Sequence, residues 1–250
     1  MLEAGFWGLV GGSALMVGAL LAWFLDLPKR LIAGVMAAGS GVLISAVAFD
    51  LMDEAFTQGG LAAAGGGFLG GALAYTLANI AVSRAGARHR KRSGFNPAES
   101  QPAATANGGL AIAIGALLDG VPESVVIGVS LLDGTGVSLV TVAAVFLSNL
   151  PEGLSSVAGM KRAGRSARYV FGVWGTIALA SGAAAMLGHA ALADAPPEVI
   201  AAVTAVAAGA ILAMLVDTMI PEATEEAHEA SGLIAVAGFL FAFVLSKLAE

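Results

Sequence analysis

Eight long stretches of this chain contain no Asp, Glu, Lys or Arg, and they constrain its fold more than any other feature. They run from Ala4 to Leu25, Leu31 to Phe49, Ala55 to Ser83, Ser100 to Leu118, Gly134 to Pro151, Tyr169 to Ala193, Val199 to Val216 and Ala230 to Ser246. A helix needs about 20 mostly apolar residues to cross a hydrocarbon core about 30 Å thick, and each stretch is near that length. Charged residues make up 12% of the 250 positions and hydrophobic ones 58%. A soluble domain carries roughly 25% charged residues, so this chain cannot cover a water-facing surface. The expectation is an all-α, polytopic membrane protein of eight transmembrane helices, residues 1–250 forming a single transmembrane domain. The 34 glycines would weaken helices in water, but in lipid small residues let helix backbones approach closely.

The loops give the orientation. Lys29 and Arg30 lie between the first two stretches. Arg84, Arg88, Arg90, Lys91 and Arg92 fall in the linker of residues 84–107, which also holds Pro97 and Pro102. Lys161, Arg162, Arg165 and Arg168 follow the fifth stretch. Eleven of the twelve basic residues therefore occupy loops of one parity, with Lys247 alone on the other side. By the positive-inside rule those loops are cytoplasmic, so both termini face out, and a cell (inner) membrane is the expected location. The rule also explains the basic run at 84–92 without nucleic acid. No basic residue precedes the first apolar stretch, which argues for a helix rather than a cleaved leader.

Five acids lie within or against the apolar stretches: Asp50, Asp119, Glu123, Glu152 and Asp217. An ionised group at membrane depth costs at least about 2.5–3.5 kcal/mol and is by default a functional hypothesis. No Lys or Arg falls inside those stretches, so the expectation is that a bound cation, rather than a structural ion pair, neutralises the set. Asp119 and Glu123 are four residues apart and share one helix face, as do Ser148 and Glu152, with Asn149 between them. Pro122 and Pro151 stand immediately before the two glutamates. Each removes an amide donor and frees the carbonyl four residues earlier, that of Leu118 or Leu147. Cysteine is absent and only three histidines are present, so oxygen ligands must dominate any metal site.

With Leu118-Asp119-Gly120-Val121-Pro122-Glu123-Ser124 and Leu147-Ser148-Asn149-Leu150-Pro151-Glu152-Gly153, the chain resembles the ZIP family of divalent metal transporters, most closely its ZupT-like bacterial branch. Ala38-Gly39-Ser40-Gly41 leading to Asp50-Leu51-Met52-Asp53-Glu54-Ala55 adds to the likeness, as does Ala208-Gly209 leading to Asp217-Thr218-Met219-Ile220-Pro221-Glu222-Ala223. The resemblance implies a ZIP-like bundle with an inverted repeat and a binuclear site formed by two His-Asn-x-Pro-Glu-Gly motifs. Carried over, Asp119 and Gly120 stand at the first His-Asn pair and Ser148 and Asn149 at the second, followed by Glu123 and Glu152. Both histidines are missing, and helix 6 brings no acidic ligand. The implied metal residues are Asp119, Glu123, Ser148, Asn149 and Glu152, with Asp50 and Asp217 along the transport path.

The implied function is transport of a divalent metal into the cytoplasm, with the ion (Zn, Mn or Fe class) as substrate and no cofactor. Carboxylate, carbonyl and water suit harder ions better than imidazole does, which shifts the expectation toward Mn²⁺ or Fe²⁺. The expected partners are metal cations and membrane lipid, not nucleic acid, and a homodimer is compatible with the reading. Two alternatives stay open: a metal-binding sensor or non-transporting relative, prompted by the missing histidines, and an intramembrane metal-dependent or carboxylate enzyme. The enzyme is disfavoured by the lack of any histidine at depth. His228, in an acidic loop, reads as a solvated helix end, His89 as repelled from cations by its arginines, and His189 as interfacial. Asp53, Glu54, Asp133 and Asp194 make the outer face acidic, which would concentrate cations there.

Overall fold

Small residues let the helices of this chain approach to backbone contact, and that sets the architecture. A computed structural model describes residues 1–87, 89–93, 106–132, 136–226 and 229–249. Its elements, all helical among the described residues, are α1 (Leu2–Phe24), α2 (Lys29–Ser45), α3 (Met52–Val82), α4 (Ala106–Val129), α5 (Leu139–Arg162), α6 (Ala167–Leu192), α7 (Pro197–Met214), α8 (Ile220–Glu226) and α9 (Ser231–Ala249). A π-helical turn at Ala46–Leu51 joins α2 to α3, another at Leu215–Met219 joins α7 to α8, and a third, Ser83–Ala87, follows α3. Seven helices among the described residues are long and apolar enough to cross a membrane, the run Lys29–Ala85 counting as one of 57 residues. That run breaks inside α3 at Gly60, whose φ of 66° lies in the left-handed region open to glycine.

The packing partners follow from where a side chain would not fit. A Cβ on Gly153 of α5 would lie 2.3 Å from the Leu15 carbonyl oxygen of α1, and one on Gly209 of α7 only 1.9 Å from that of Phe68 in α3. One core gathers Leu15, Ile112, Val157 and Trp174 from α1, α4, α5 and α6, together with Ile32 of α2. The other gathers Met36, Leu43, Tyr75, Ile211 and Met214 from α2, α3 and α7, together with Val126 of α4. The polarity is inside out for a water-soluble fold. Leu61, Leu69, Leu73, Leu179, Leu187, Leu233 and Leu240 are exposed while Asp119, Glu123 and Glu152 are buried, as expected of a surface solvated by lipid.

Two helices are longer than the charge-free stretches. The fourth and fifth stretches end at Leu118 and Pro151, whereas α4 and α5 run on to Val129 and Arg162, so the three central acids sit inside helices rather than at their ends. The Ser138 hydroxyl caps the start of α5 by accepting from the Thr141 amide at 3.2 Å. Its end is a Schellman turn: the amide of Gly164 (φ 77°) donates to the Lys161 carbonyl and that of Arg165 to Met160. These two ends fix the register in which α5 presents Ser148, Asn149 and Glu152.

Candidate metal site and its basic plug

Tyr75 and Asn79 of α3, Asp119 and Glu123 of α4, and Ser148, Asn149 and Glu152 of α5 form a polar band in the interior. The five residues on α4 and α5 are each at most 3% exposed. Both helices pass through their prolines without a break. Glu123 Oε1 is 3.5 Å from the Ser148 hydroxyl, which donates to the Val145 carbonyl at 2.9 Å, and Glu123 Oε2 has no hydrogen-bond partner among the described residues. Asn149 turns toward α1: its Nδ2 donates to the Gly11 carbonyl at 3.1 Å, and the buried Oδ1 has no partner among the described residues.

The expectation that no basic residue reaches this depth is wrong. Arg90 and Lys91, from the linker assigned to the cytoplasmic surface, are only 2% and 3% exposed. The Arg90 guanidinium forks onto Asp119, with Nε 2.9 Å from Oδ2 and an η nitrogen 2.8 Å from Oδ1. It also donates to the Tyr75 hydroxyl at 2.9 Å and to Asn79 Oδ1 at 2.8 Å, while Tyr75 donates to Asp119 at 2.6 Å. Burial disfavours the charge on Arg90, but the Asp119 carboxylate outweighs it and holds the guanidinium pKa above its ordinary value. Lys91 Nζ lies 2.9 Å from Glu152 Oε2 and 3.4 Å from Asp119 Oδ2, ion pairs off the line of a hydrogen bond.

The physical reason for the error is that charge-free stretches locate helices, not the path of a loop that folds back between them. Its backbone is held by polar groups at the rim. Ser155 Oγ donates to the Lys91 carbonyl (2.7 Å), the Ser93 amide donates to Glu222 Oε1 (2.8 Å), and Arg162 donates to the Ser93 carbonyl (3.1 Å). Arg92 pairs with Glu225 and lies 3.6 Å from Glu222. Sequence reasoning did not single out these anchors. One signal was available: Tyr75, Asn79 and Ser83 recur every fourth residue where, from Gly59 to Val82, Thr76 is the one other polar side chain, a polar stripe that needs a polar partner.

Asp50 and Asp217 are not in the central band. Each sits on a π-helical turn, a local unwinding frequently associated with functional positions. Asp50 accepts from the Ser246 hydroxyl and lines a cavity of about 680 Å³ with Asp53, Glu54, Val126, Ser130 and Thr204. Asp217 accepts from Asn79 Nδ2 at 3.1 Å and lines a smaller cavity of about 250 Å³ with His89, Arg90, Lys91 and Arg92. Val126 is one turn beyond Glu123 on α4, so the central band lies between the two cavities. His189 Nδ1 is 3.2 Å from the Gly128 carbonyl, where it braces α6 against α4. Asp194 is exposed, while His228 and Asp133 lie outside the described residues.

Among the described residues no three His, Cys, Asp or Glu side chains are grouped so as to hold a metal ion. The band as it stands is three carboxyl groups facing two cations, with a formal charge of −1 when all are ionised. It can hold a cation only by rearranging. The chain matches no protein-family model and no curated protein sequence.

Proposed function

We propose that the chain is a ZIP-like secondary transporter that carries a divalent metal ion of the Zn, Mn or Fe class into the cytoplasm. The reading is carried by one observation: three buried carboxyl groups on two proline-containing helices stand between two cavities, each lined by a further aspartate. Residues that serve only packing need neither buried acids nor a cavity at each end. Asp119, Glu123 and Glu152 are the ligands, Asn149 Oδ1 and Ser148 Oγ supply neutral oxygens, and Asp50 and Asp217 are stations on either side. An all-oxygen set favours Mn²⁺ or Fe²⁺ over the more nitrogen- and sulfur-seeking ions.

In this reading the run Lys29–Ala85 is two spans divided at Gly60, inside α3, which makes eight, with both termini outside. The matching placement of Asp50 and Asp217 on π-helical turns supports an inverted repeat of the kind common in such carriers. The protein is a carrier rather than an enzyme, needs no cofactor and binds no nucleic acid. Engagement of Arg90, Lys91 and Arg92 by Asp119, Glu152, Glu222 and Glu225 supports the last point.

The test is uptake of Mn²⁺ and Zn²⁺ into liposomes holding the purified protein, with Glu123→Ala and Glu152→Ala in parallel. Uptake by the parent protein that both substitutions abolish is expected; uptake that survives both would sink the ligand assignment. A second reading is favoured by the ion pairs themselves, since Arg90 and Lys91 neutralise the acids without metal. In that reading the protein is a sensor that binds metal and releases the loop but moves no ion, and it would bind Mn²⁺ in detergent without any flux.

A further inference from the structure

We propose that residues 89–93 are a tethered cationic plug, and that the Lys91 ammonium and a divalent metal ion are alternative occupants of the space between Asp119 and Glu152. The inference rests on the transport reading and adds the regulation of that same site. Lys91 Nζ bridges carboxylates from α4 and α5 at 3.4 and 2.9 Å, the arrangement of oxygens a cation would take between those helices. Metal–carboxylate distances are shorter, about 2.0–2.2 Å for Zn²⁺, so the two side chains need close in by only about 1 Å once the ammonium leaves.

The charges exchange one for one. Arg90 and Lys91 bring two positive charges to three carboxyl groups, and a divalent ion brings the same two. Plugged and metal-loaded states therefore carry equal formal charge in the band, whereas an empty, unplugged band would hold three uncompensated acids. Desolvation offsets most of what a buried ion pair gains, so exchange between two such states is not opposed by a large net loss.

The attachment suits a part that leaves. His89, Arg90, Lys91, Arg92 and Ser93 include no apolar residue, so the segment is not held by a hydrophobic anchor of its own, and the anchors from Ser155, Arg162, Glu222 and Glu225 are polar groups that water can replace. The seated segment also forms the wall of the smaller cavity through Arg90, Lys91 and Arg92. A metal ion that takes the place of Lys91 displaces that wall, and release toward the basic loops follows withdrawal of the plug. Because the plug is part of the chain, its effective concentration at the site is high, and metal has to compete with it.

Two measurements on the full-length protein test this. In Arg90→Gln/Lys91→Gln, Mn²⁺ binding in detergent should tighten about tenfold or more, the change expected on removing a tethered competitor. The protein contains no cysteine, so the thiol introduced by Ser93→Cys is unique. Ser93 is buried, and Mn²⁺ should accelerate modification of that thiol by a water-soluble maleimide. Unchanged or weaker Mn²⁺ binding in the double variant overturns the plug, as does labelling indifferent to Mn²⁺. If the double variant fails to fold, the labelling alone decides. Uptake by the parent protein with neither response leaves transport standing and removes the plug. No binding and no uptake of Mn²⁺ or Zn²⁺ by parent or variants removes the transport reading, and the plug with it.

Discussion

At one end of the carboxylate band the chain lines a cavity of about 680 Å³ with Asp50, Asp53, Glu54 and a ring of Ser and Thr hydroxyls, and among the described residues no lysine or arginine is on its wall. At the other end the cavity is about 250 Å³ and its wall carries His89, Arg90, Lys91 and Arg92 beside Asp217. The two share a motif, an aspartate on a π-helical turn, but not a potential. At the wide cavity the charged residues described are carboxylates, whereas at the narrow one the carboxylates are met by Arg90, Lys91 and Arg92. The two ends therefore differ in where their charge comes from: acids of the helices at one, and at the other cations contributed by residues 90–92, which belong to a loop rather than a helix.

The largest expected effect comes from removing the anion that holds Arg90. Asp119→Asn leaves Arg90 buried beside a neutral amide, and breaking one side of a buried pair costs about 3–5 kcal/mol. Thermal unfolding in detergent should show that loss, with substantial recovery in Asp119→Asn/Arg90→Gln. Additive losses in the double variant would mean that the two side chains do not depend on each other.

Next in size is the packing that places Glu152. Gly153→Ala forces a methyl group to within 2.3 Å of the Leu15 carbonyl oxygen, and overpacking of this kind costs about 1–3 kcal/mol. Gly66→Ala, where a Cβ meets nothing within 4 Å, should leave the unfolding temperature nearly unchanged. Equal effects from the two would show that the contact between α1 and α5 does not position the band.

A smaller and salt-dependent effect is expected at the wide cavity. Asp53→Lys should raise the Mn²⁺ concentration for half-maximal uptake by about three- to tenfold in dilute buffer, and the difference should shrink as added salt shortens the Debye length toward about 8 Å. A change independent of ionic strength would point to direct ligation by Asp53 instead. The smallest effect belongs to His189→Ala. It removes one contact to the Gly128 carbonyl and should cost about 0.5–1.5 kcal/mol, with metal affinity unaltered.

Several parts of this arrangement are legible without a structure. The charge-free stretches mark most of the helices, because a long apolar run has few other ways to satisfy its backbone in lipid, but the second and third fall in the single run Lys29–Ala85. Asp119 with Glu123, and Ser148 with Glu152, are readable as pairs on one face because the helical period puts residues four apart on the same side. Their depth within α4 and α5 is less legible: each stretch was cut at its first acid, while the helices carry on through it. The partners are not legible at all. Arg90 and Lys91 stand next to Arg92 in a run that the positive-inside rule explains equally well as surface charge, and nothing in their spacing says that the linker folds back.

Sequence alone determined that this chain is a bundle of apolar helices with acids left at depth, since hydrophobic length and helical period are local properties. It also limited the donors open to any metal to oxygen and three histidines, because cysteine is absent. Tertiary structure alone decided what those acids meet. Ion pairing depends on which segments lie within about 4 Å of one another, and residues 90 and 119 are brought that close by the packing of α3, α4 and α5, not by any relation between them along the chain. The same packing divided the five acids into a central trio and two outlying aspartates, because the spacing of Asp50 and Asp217 from the band is set by how the helices cross.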